Sequence, residues 1–343
     1  MNIKEYVKKY DPQNQFEVLI NSWQQIEFAW NNKFDVSSIN KNEIKNIVIS
    51  GLGGSAISGD LLKNYVGNDL KLPLVINRNY TLPAFAGKDT LLIASSYSGN
   101  TEETVSSVKQ AMDLGCKIIC VSTGGMIEKI SNERNLPFVK SQIGFQPRYA
   151  LGLSFFTLLK IFQELRFVPD QSPKVETIKN LWMEKGKIYS EDGNISFVTA
   201  ESLVGFIPVI YSVVDSTSAV GYRFKCQFNE NSKLHAFHNV IPEMNHNEII
   251  GWESFHEKNF NAKIINIVDE SYHPQIKKRF EIISGIFKES GVEAIDLQSS
   301  EIDFKVRILD LIYLCDWITY YTGVLRGFDP SEINNINTLK QRL

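Results

Sequence analysis

Short apolar runs alternate with stretches of helical periodicity along most of the chain. Residues 47–49, 74–76, 91–94 and 118–121 are brief runs of β-forming residues, spaced by lengths that suit a helix or a loop. Ile57, Leu61, Leu62, Tyr65 and Val66 share one face of a helix beginning after Ser55. Thr104, Val105, Val108, Ala111 and Met112 share one face of a helix beginning after Asn100. Strands joined in this way predict a parallel sheet buried on both sides. An almost wholly apolar helix is predicted over 149–165, and the turn-forming residues of 166–174 predict a linker. The alternation then resumes, with strands over 195–199, 209–212, 262–268 and 293–297 and helices over 216–228, 275–290 and 305–326. Residues 1–44 hold two amphipathic helical segments, with Tyr6, Phe16, Trp23 and Trp30 among their apolar positions, and suggest a packing arm without chemistry. The predicted fold class is α/β: an N-terminal helical arm (1–44) and two three-layer αβα domains with parallel sheets (45–168 and 176–343).

At 343 residues the chain is longer than one core usually serves, which agrees with two domains. Its net charge of -3 offers no surplus for a nucleic-acid backbone or an anionic membrane, and neither is expected as a partner. The first sixteen residues carry charge throughout, unlike a secretory leader, and the apolar stretch 308–325 is interrupted by Asp310 and Asp316. A soluble protein of the cytoplasm is expected. Cys116, Cys120, Cys226 and Cys315 lack CxxC spacing and read as buried free thiols.

Two segments change the picture from fold to chemistry. Gly51-Leu-Gly-Gly-Ser-Ala-Ile-Ser58 lies between a predicted strand and a predicted helix. Its glycines let backbone approach a ligand, and the free amides and positive end of the helix favour an anion. Gly51, Gly53 and Ala56 also satisfy a dinucleotide fingerprint, but no acid follows at the next strand end; Arg78 there leaves a 2′-phosphorylated cofactor open. Ser95-Ser-Tyr-Ser-Gly-Asn-Thr-Glu-Glu-Thr104 occupies a second strand end. Ser96, Ser98 and Thr101 there set three hydroxyls beside free helix amides, a match for the oxygens of a phosphate. Ser98, Asn100 or Thr101 could equally cap that helix, and Asn100 with Glu103 has capping-box spacing.

These two loops resemble those of the sugar isomerase (SIS) domain. Gln146–Gly152, Asn229-Glu-Asn-Ser-Lys233, Pro242–Glu248 and Asn337-Thr-Leu-Lys340 follow in an order similar to the bifunctional phosphoglucose/phosphomannose isomerase family, over roughly residues 45–343. The resemblance implies two SIS-type domains, a sugar phosphate held by Gly54, Ser55, Ser96, Ser98 and Thr101, and a homodimer. It also implies aldose–ketose isomerisation of fructose 6-phosphate to glucose 6-phosphate and mannose 6-phosphate, with no cofactor.

That chemistry needs a base to move a proton between adjacent carbons, a group to open the ring and a cation for the enediolate. Glu230 is the candidate base, although in isolation a charged residue at a helix end reads more often as a surface acid. Arg148 would offset the enediolate charge. Four of the five histidines fall between 235 and 256, but their spacing does not suit zinc, and no metal is expected. His246 matches the family's ring-opening acid/base, which the resemblance implies is given to the neighbouring subunit. Lys340 matches its active-site lysine. Asp329-Pro-Ser-Glu-Ile departs from the family's tail, where a hydroxyl helps to accept both C2 epimers, and leaves open whether Ser331 supplies it. Two other readings stand beside this one: a non-catalytic sugar-phosphate sensor and an NADP-dependent oxidoreductase.

Overall fold

The computed structural model describes residues 2–257 and 261–342. It divides into two compact units, one of residues 22–179 and one of residues 1–21 with 180–343. The chain opens with α1 (Ile3–Tyr10) and α2 (Gln15–Ile20), which belong to the second of these units, while α3 (Trp23–Asn31) belongs to the first. The N-terminal segment therefore holds three helices shared between two units, where two helical segments in one arm were expected.

The unit of residues 22–179 is built on β1 (Asn46–Ser50), α4 (Gly53–Val66), β2 (Leu74–Asn77), β3 (Thr90–Ser95), α5 (Glu102–Asp113), β4 (Lys117–Ser122), α6 (Gly125–Arg134), β5 (Phe138–Lys140) and α7 (Leu151–Glu164). The strands form an all-parallel sheet in the order β2-β1-β3-β4-β5. Period-two alternation splits their side chains between two buried layers. Val48, Leu92, Ala94, Ile118 and Cys120 pack with Val108 and Ala111 of α5 and Ile127 and Ile130 of α6. Ile47, Ile49, Ile93 and Ile119 are equally buried on the opposite face, where Ile49 and Ile76 reach α4 at Gly59. The strand at β5 was not legible, being three residues long with only Val139 buried.

A long helix, α8 (Ser172–Tyr189), carries the chain onward to α9 (Ile195–Leu203), β6 (Ile207–Val213), α10 (Ser218–Asn231), β7 (Phe237–Ile241), β8 (Ala262–Val268), α11 (Pro274–Glu289), β9 (Glu293–Gln298), α12 (Phe304–Leu325) and α13 (Asn334–Arg342). The second sheet is also all parallel, in the order β7-β6-β8-β9. Residues 195–199, expected as a strand from their β-forming composition, are helical. Asn194 caps that helix by accepting from the Phe197 amide at 2.9 Å, and Phe197, Ala200 and Leu203 are buried on it, with α9 packed against α12. Cap and tertiary packing outweigh intrinsic preference here.

Alone among the described residues, α12 is long and apolar enough to cross a membrane, and it is 94% buried in the protein. Its two carboxylates are both paired. Asp310 accepts from Lys185 at 2.6 Å and from Ser299, and Asp316 binds Arg223 through Nε at 2.9 Å and Nη2 at 2.8 Å. All four cysteines are free; Cys120 and Cys315 are buried, whereas Cys116 and Cys226 are half-buried, contrary to the expectation for all four. Burial pushes the Cys120 thiol up to about 12, which leaves it protonated.

Each sheet has one point where the chain reverses its order of strand addition, and ligand crevices form there at the carboxyl ends of the strands. In the second sheet this point lies between β6 and β8, and side chains at the ends of these strands bond one another there. Thr217 bonds the Tyr272 hydroxyl, which also donates to the Ile267 carbonyl at 3.0 Å. Asp269, directly after β8, receives Arg307 Nε at 2.7 Å and Nη2 at 3.0 Å. Burial opposes the Asp269 charge, but the hydrogen bonds from Arg307 and Ser271 together hold its carboxyl below the usual range. Such a depressed carboxylate stabilises the fold above its unfolded pKa of about 3.9, and this is lost as pH falls through the folded value. Asp269→Asn removes the charged partner of Arg307 Nε and Nη2, while Glu270 and the carbonyls of Glu301 and Ile302 still hold Nη1. It is expected to lower the unfolding free energy by about 1.5–3 kcal/mol at neutral pH. Urea denaturation should show the gap between variant and wild type closing below about pH 4.

Candidate active site

The reversal point of the first sheet falls between β1 and β3, the arrangement in which a doubly wound sheet opens a crevice to a ligand. The loops leaving these two strands are the glycine-rich and hydroxyl-rich segments. They touch main chain to main chain: a Cβ on Gly51 would lie 2.7 Å from the Ser95 carbonyl oxygen. Only glycine permits that approach. A Cβ on Gly54 would likewise lie 2.7 Å from the Pro147 carbonyl oxygen, so the same loop abuts the short 3₁₀ turn Pro147–Tyr149. Ser58 fixes the contact from below, donating to the Gly54 carbonyl at 2.8 Å and sharing a hydrogen bond of 2.6 Å with Ser154 of α7.

Six of the nine candidate residues are thereby gathered in one unit. Ser55 sits buried in the first turn of α4, whose N-terminus has no side-chain cap. Ser96 is buried at the end of β3; its Oγ and Thr101 Oγ1 share a hydrogen bond of 2.8 Å, and it accepts from the Gly99 amide at 3.1 Å. Ser98 is exposed and accepts from the Asn100 amide at 3.2 Å. Arg148, beside Gly54, is 4% exposed, donates to Gln146 Oε1 at 3.1 Å and lies over the Tyr149 ring.

The capping-box reading of Asn100 is corrected. Thr101 is the N-cap of α5 and makes no side-chain cap hydrogen bond, and Asn100 Oδ1 instead accepts from the Met126 amide of α6 at 2.9 Å. Thus α5 presents bare amides to the crevice, while Asn100 ties the β3 loop to the β4 loop. Thr123 strengthens that tie by donating to the Tyr97 carbonyl through both its amide, at 3.0 Å, and its hydroxyl, at 2.7 Å. The Ser122-Thr-Gly-Gly125 loop went unnoticed in the sequence, although glycines at a third strand end were its signal. Two helix N-termini without side-chain caps, flanked by hydroxyls and a buried guanidinium, are donors of the kind that suits an anion.

Arg78, the candidate for a cofactor 2′-phosphate, is ion-paired with Asp60 of α4. The strand order is also that of flavodoxin-like sheets, not the 3-2-1-4-5-6 order of classical dinucleotide folds. Both observations weigh against the nicotinamide reading.

Glu230, His246 and Lys340 belong to the other unit. Glu230 is half-buried in the last turn of α10. That helix is registered on α12 by a buried polar stripe at four-residue spacing: Arg223 and Gln227 bind Asp316, and Asn231 donates to Thr319 Oγ1 at 3.1 Å. A Cβ on Gly323 of α12 would meet the Asn231 carbonyl oxygen at 2.5 Å, so the end of α10 lies directly on α12. His246 is exposed on the 3₁₀ turn Glu243–His246 that follows β7. Glu248 anchors this segment by accepting from Tyr211 at 2.7 Å and from Asn239 at 2.6 Å. Lys340 is exposed on α13. Ser331 is 2% exposed, and its hydroxyl has no hydrogen-bond partner among the described residues.

The remaining histidines have local roles or face solvent. His238 bonds Ser212 at 2.7 Å, and burial, aided by Lys225, pushes its pKa down to about 4. His273 caps α11, His256 contacts the Glu253 carbonyl and His235 is exposed.

A family model described as the bacterial phospho-glucose isomerase C-terminal SIS domain matches residues 194–343. The bifunctional phosphoglucose/phosphomannose isomerase of Caldicellulosiruptor bescii is 35% identical over 335 residues, covering 96% of this chain and 98% of the relative. A D-glucosamine-6-phosphate 4-epimerase of Sulfolobus acidocaldarius is 30% identical over 280 residues, 78% of this chain and 86% of the relative. Among solved structures, the C-terminal domain of glucosamine-fructose-6-phosphate aminotransferase from Francisella tularensis shares the fold, with a TM-score of 0.70 and 16% identity over 94% of this chain and 98% of that one.

The anion site is testable without any substrate. Ser96→Ala with Thr101→Ala removes two hydroxyls and is expected to weaken inorganic phosphate binding by about 1.5–3 kcal/mol per lost charge-assisted bond, read by calorimetry.

Proposed function

The chain belongs to the bifunctional phosphoglucose/phosphomannose isomerase family, and from that premise we propose how its residues divide the reaction. It is an aldose–ketose isomerase, interconverting fructose 6-phosphate with glucose 6-phosphate and mannose 6-phosphate. The observation that carries the site reading is the meeting of two uncapped helix N-termini, both lined with hydroxyls, at the β1/β3 crevice.

Gly54, Ser55, Ser96, Ser98 and Thr101 hold the phosphate, whose binding energy fixes the sugar for the proton transfer. His246 gives a proton to the ring oxygen as the bond from that oxygen to the anomeric carbon breaks. The anomeric hydroxyl releases its proton to solvent to become the carbonyl. Glu230 then removes the proton from the carbon beside the carbonyl, and the electron pair of that C–H bond becomes the enediolate double bond. Arg148 offsets the negative charge on oxygen. Glu230 returns its proton to the neighbouring carbon, so the carbonyl moves by one position and no external oxidant or reductant is used. Lys340 adds a positive charge to the same chemistry. Ser331, whose buried hydroxyl has no partner among the described residues, is the candidate for accepting either epimer at C2.

The working enzyme is a homodimer of the cytoplasm in which His246 serves the neighbouring subunit. Its exposure on an anchored turn supports that role, and the four free thiols suit a reducing compartment. Product analysis from fructose 6-phosphate should yield both aldoses. Recovery of a C4 epimer alone would instead align the chain with the epimerase relative.

Glu230→Gln is expected to lower kcat by roughly 10²–10⁴-fold while phosphate binding is kept. Wild-type turnover would remove Glu230 as the base. His246→Ala should impair cyclic fructose 6-phosphate far more than its 5-deoxy analogue, which cannot close a furanose ring. Mixing the two inactive variants restores activity if His246 crosses to the partner, and leaves the mixture inactive if each subunit uses its own.

A further inference from the structure

The end of α10 breaks a local rule of backbone chemistry. Lys233, directly after the C-cap Ser232, has a φ of 49°, in the left-handed region that suits glycine and strains other residues. A residue kept there against its backbone preference points to work done by its side chain. The Lys233 ammonium donates to the main-chain carbonyl of Glu230 at 2.9 Å and to that of Asp329. The Glu230 carbonyl is one of the last in the helix and has no later amide within it to accept from, so a cation is the fitting partner. Asp329 in turn accepts the Ser331 amide on its carboxylate at 2.7 Å. On the adjoining side Ser232 donates to the Thr319 carbonyl at 2.7 Å, and its own carbonyl accepts from Arg326.

We propose that Lys233 is a positioning residue: its ammonium joins the turn that carries Glu230 to the 329–331 segment, so that base and tail are held as one block. The role rests on the reading of Glu230 as the base. The α10/α12 stripe fixes the rotation of the helix, and Lys233 fixes its final turn, where free carbonyls would otherwise fray. The ammonium suits this task because its three donors can reach separate carbonyls, whereas a planar guanidinium would impose one plane on them. Side-chain position matters steeply here, because proton abstraction depends on near-contact geometry.

The test is Lys233→Gly, which removes the ammonium and accepts the left-handed backbone without strain. The melting temperature is expected to stay level or rise. The kcat for fructose 6-phosphate should fall roughly 10- to 100-fold with KM little changed. Hydrogen exchange across residues 326–332 should quicken, and Lys233→Arg, which keeps a charged donor, should recover part of the lost rate. Wild-type kcat and exchange in Lys233→Gly would overturn the proposal. So would a loss of rate that only tracks a fall in melting temperature. If wild type is active and Glu230→Gln is dead while Lys233→Gly is normal, only the role of Lys233 fails. If wild type itself fails to turn over fructose 6-phosphate, the isomerase reading falls and takes this role with it.

Discussion

The loops after β1 and β3 meet only because their backbones come closer than side chains allow, at the contact of Gly51 with the Ser95 carbonyl. The adjacency of β1 and β3 sets the loops side by side, and the missing Cβ lets them close. Their amides and hydroxyls then converge without any mobile charged side chain having to be ordered. The second glycine contact, between Gly54 and Pro147, brings the Arg148 turn against the same loop.

The two sheets show that a topology permits a site without requiring one. Both have an order-reversing point between neighbouring parallel strands. In the first, the loops leave helix N-termini without side-chain caps; in the second, Thr217 pairs with Tyr272 and Asp269 with Arg307. Within the second unit, the buried stripe of Arg223, Gln227 and Asn231 registers α10, which carries Glu230, on α12. Buried ion pairs of this kind need not add net stability, and their clearest use is to specify one alignment.

Much of this was legible in the letters, for reasons that differ by element. β1, β3, β4, β6 and β8 are buried on both faces, so composition alone marks them. β5 and β7 escaped because they are short or half-exposed. Residues 195–199 misled because Ile195, Phe197, Val198 and Thr199 favour strands while the cap at Asn194 and the packing on α12 act from outside the segment. The two candidate loops stood out because each combines glycine or hydroxyl residues with a strand–helix junction. The true partner of Asn100 did not, since a cap lent to a neighbouring helix leaves no local spacing to read. Lys233 was part of a motif, but only its backbone angle and its two carbonyl partners give it a task.

The paired carboxylates of α12 also set how the bare segment would partition between water and lipid. Before Lys185 and Arg223 are in place, the segment is long and greasy enough to be offered to a lipid bilayer. Each bare aspartate near the middle of such a segment costs about 2.5–3.5 kcal/mol against insertion. Asp310 and Asp316 therefore weigh against bilayer insertion of the bare helix, and in the folded protein each meets a cation within the core.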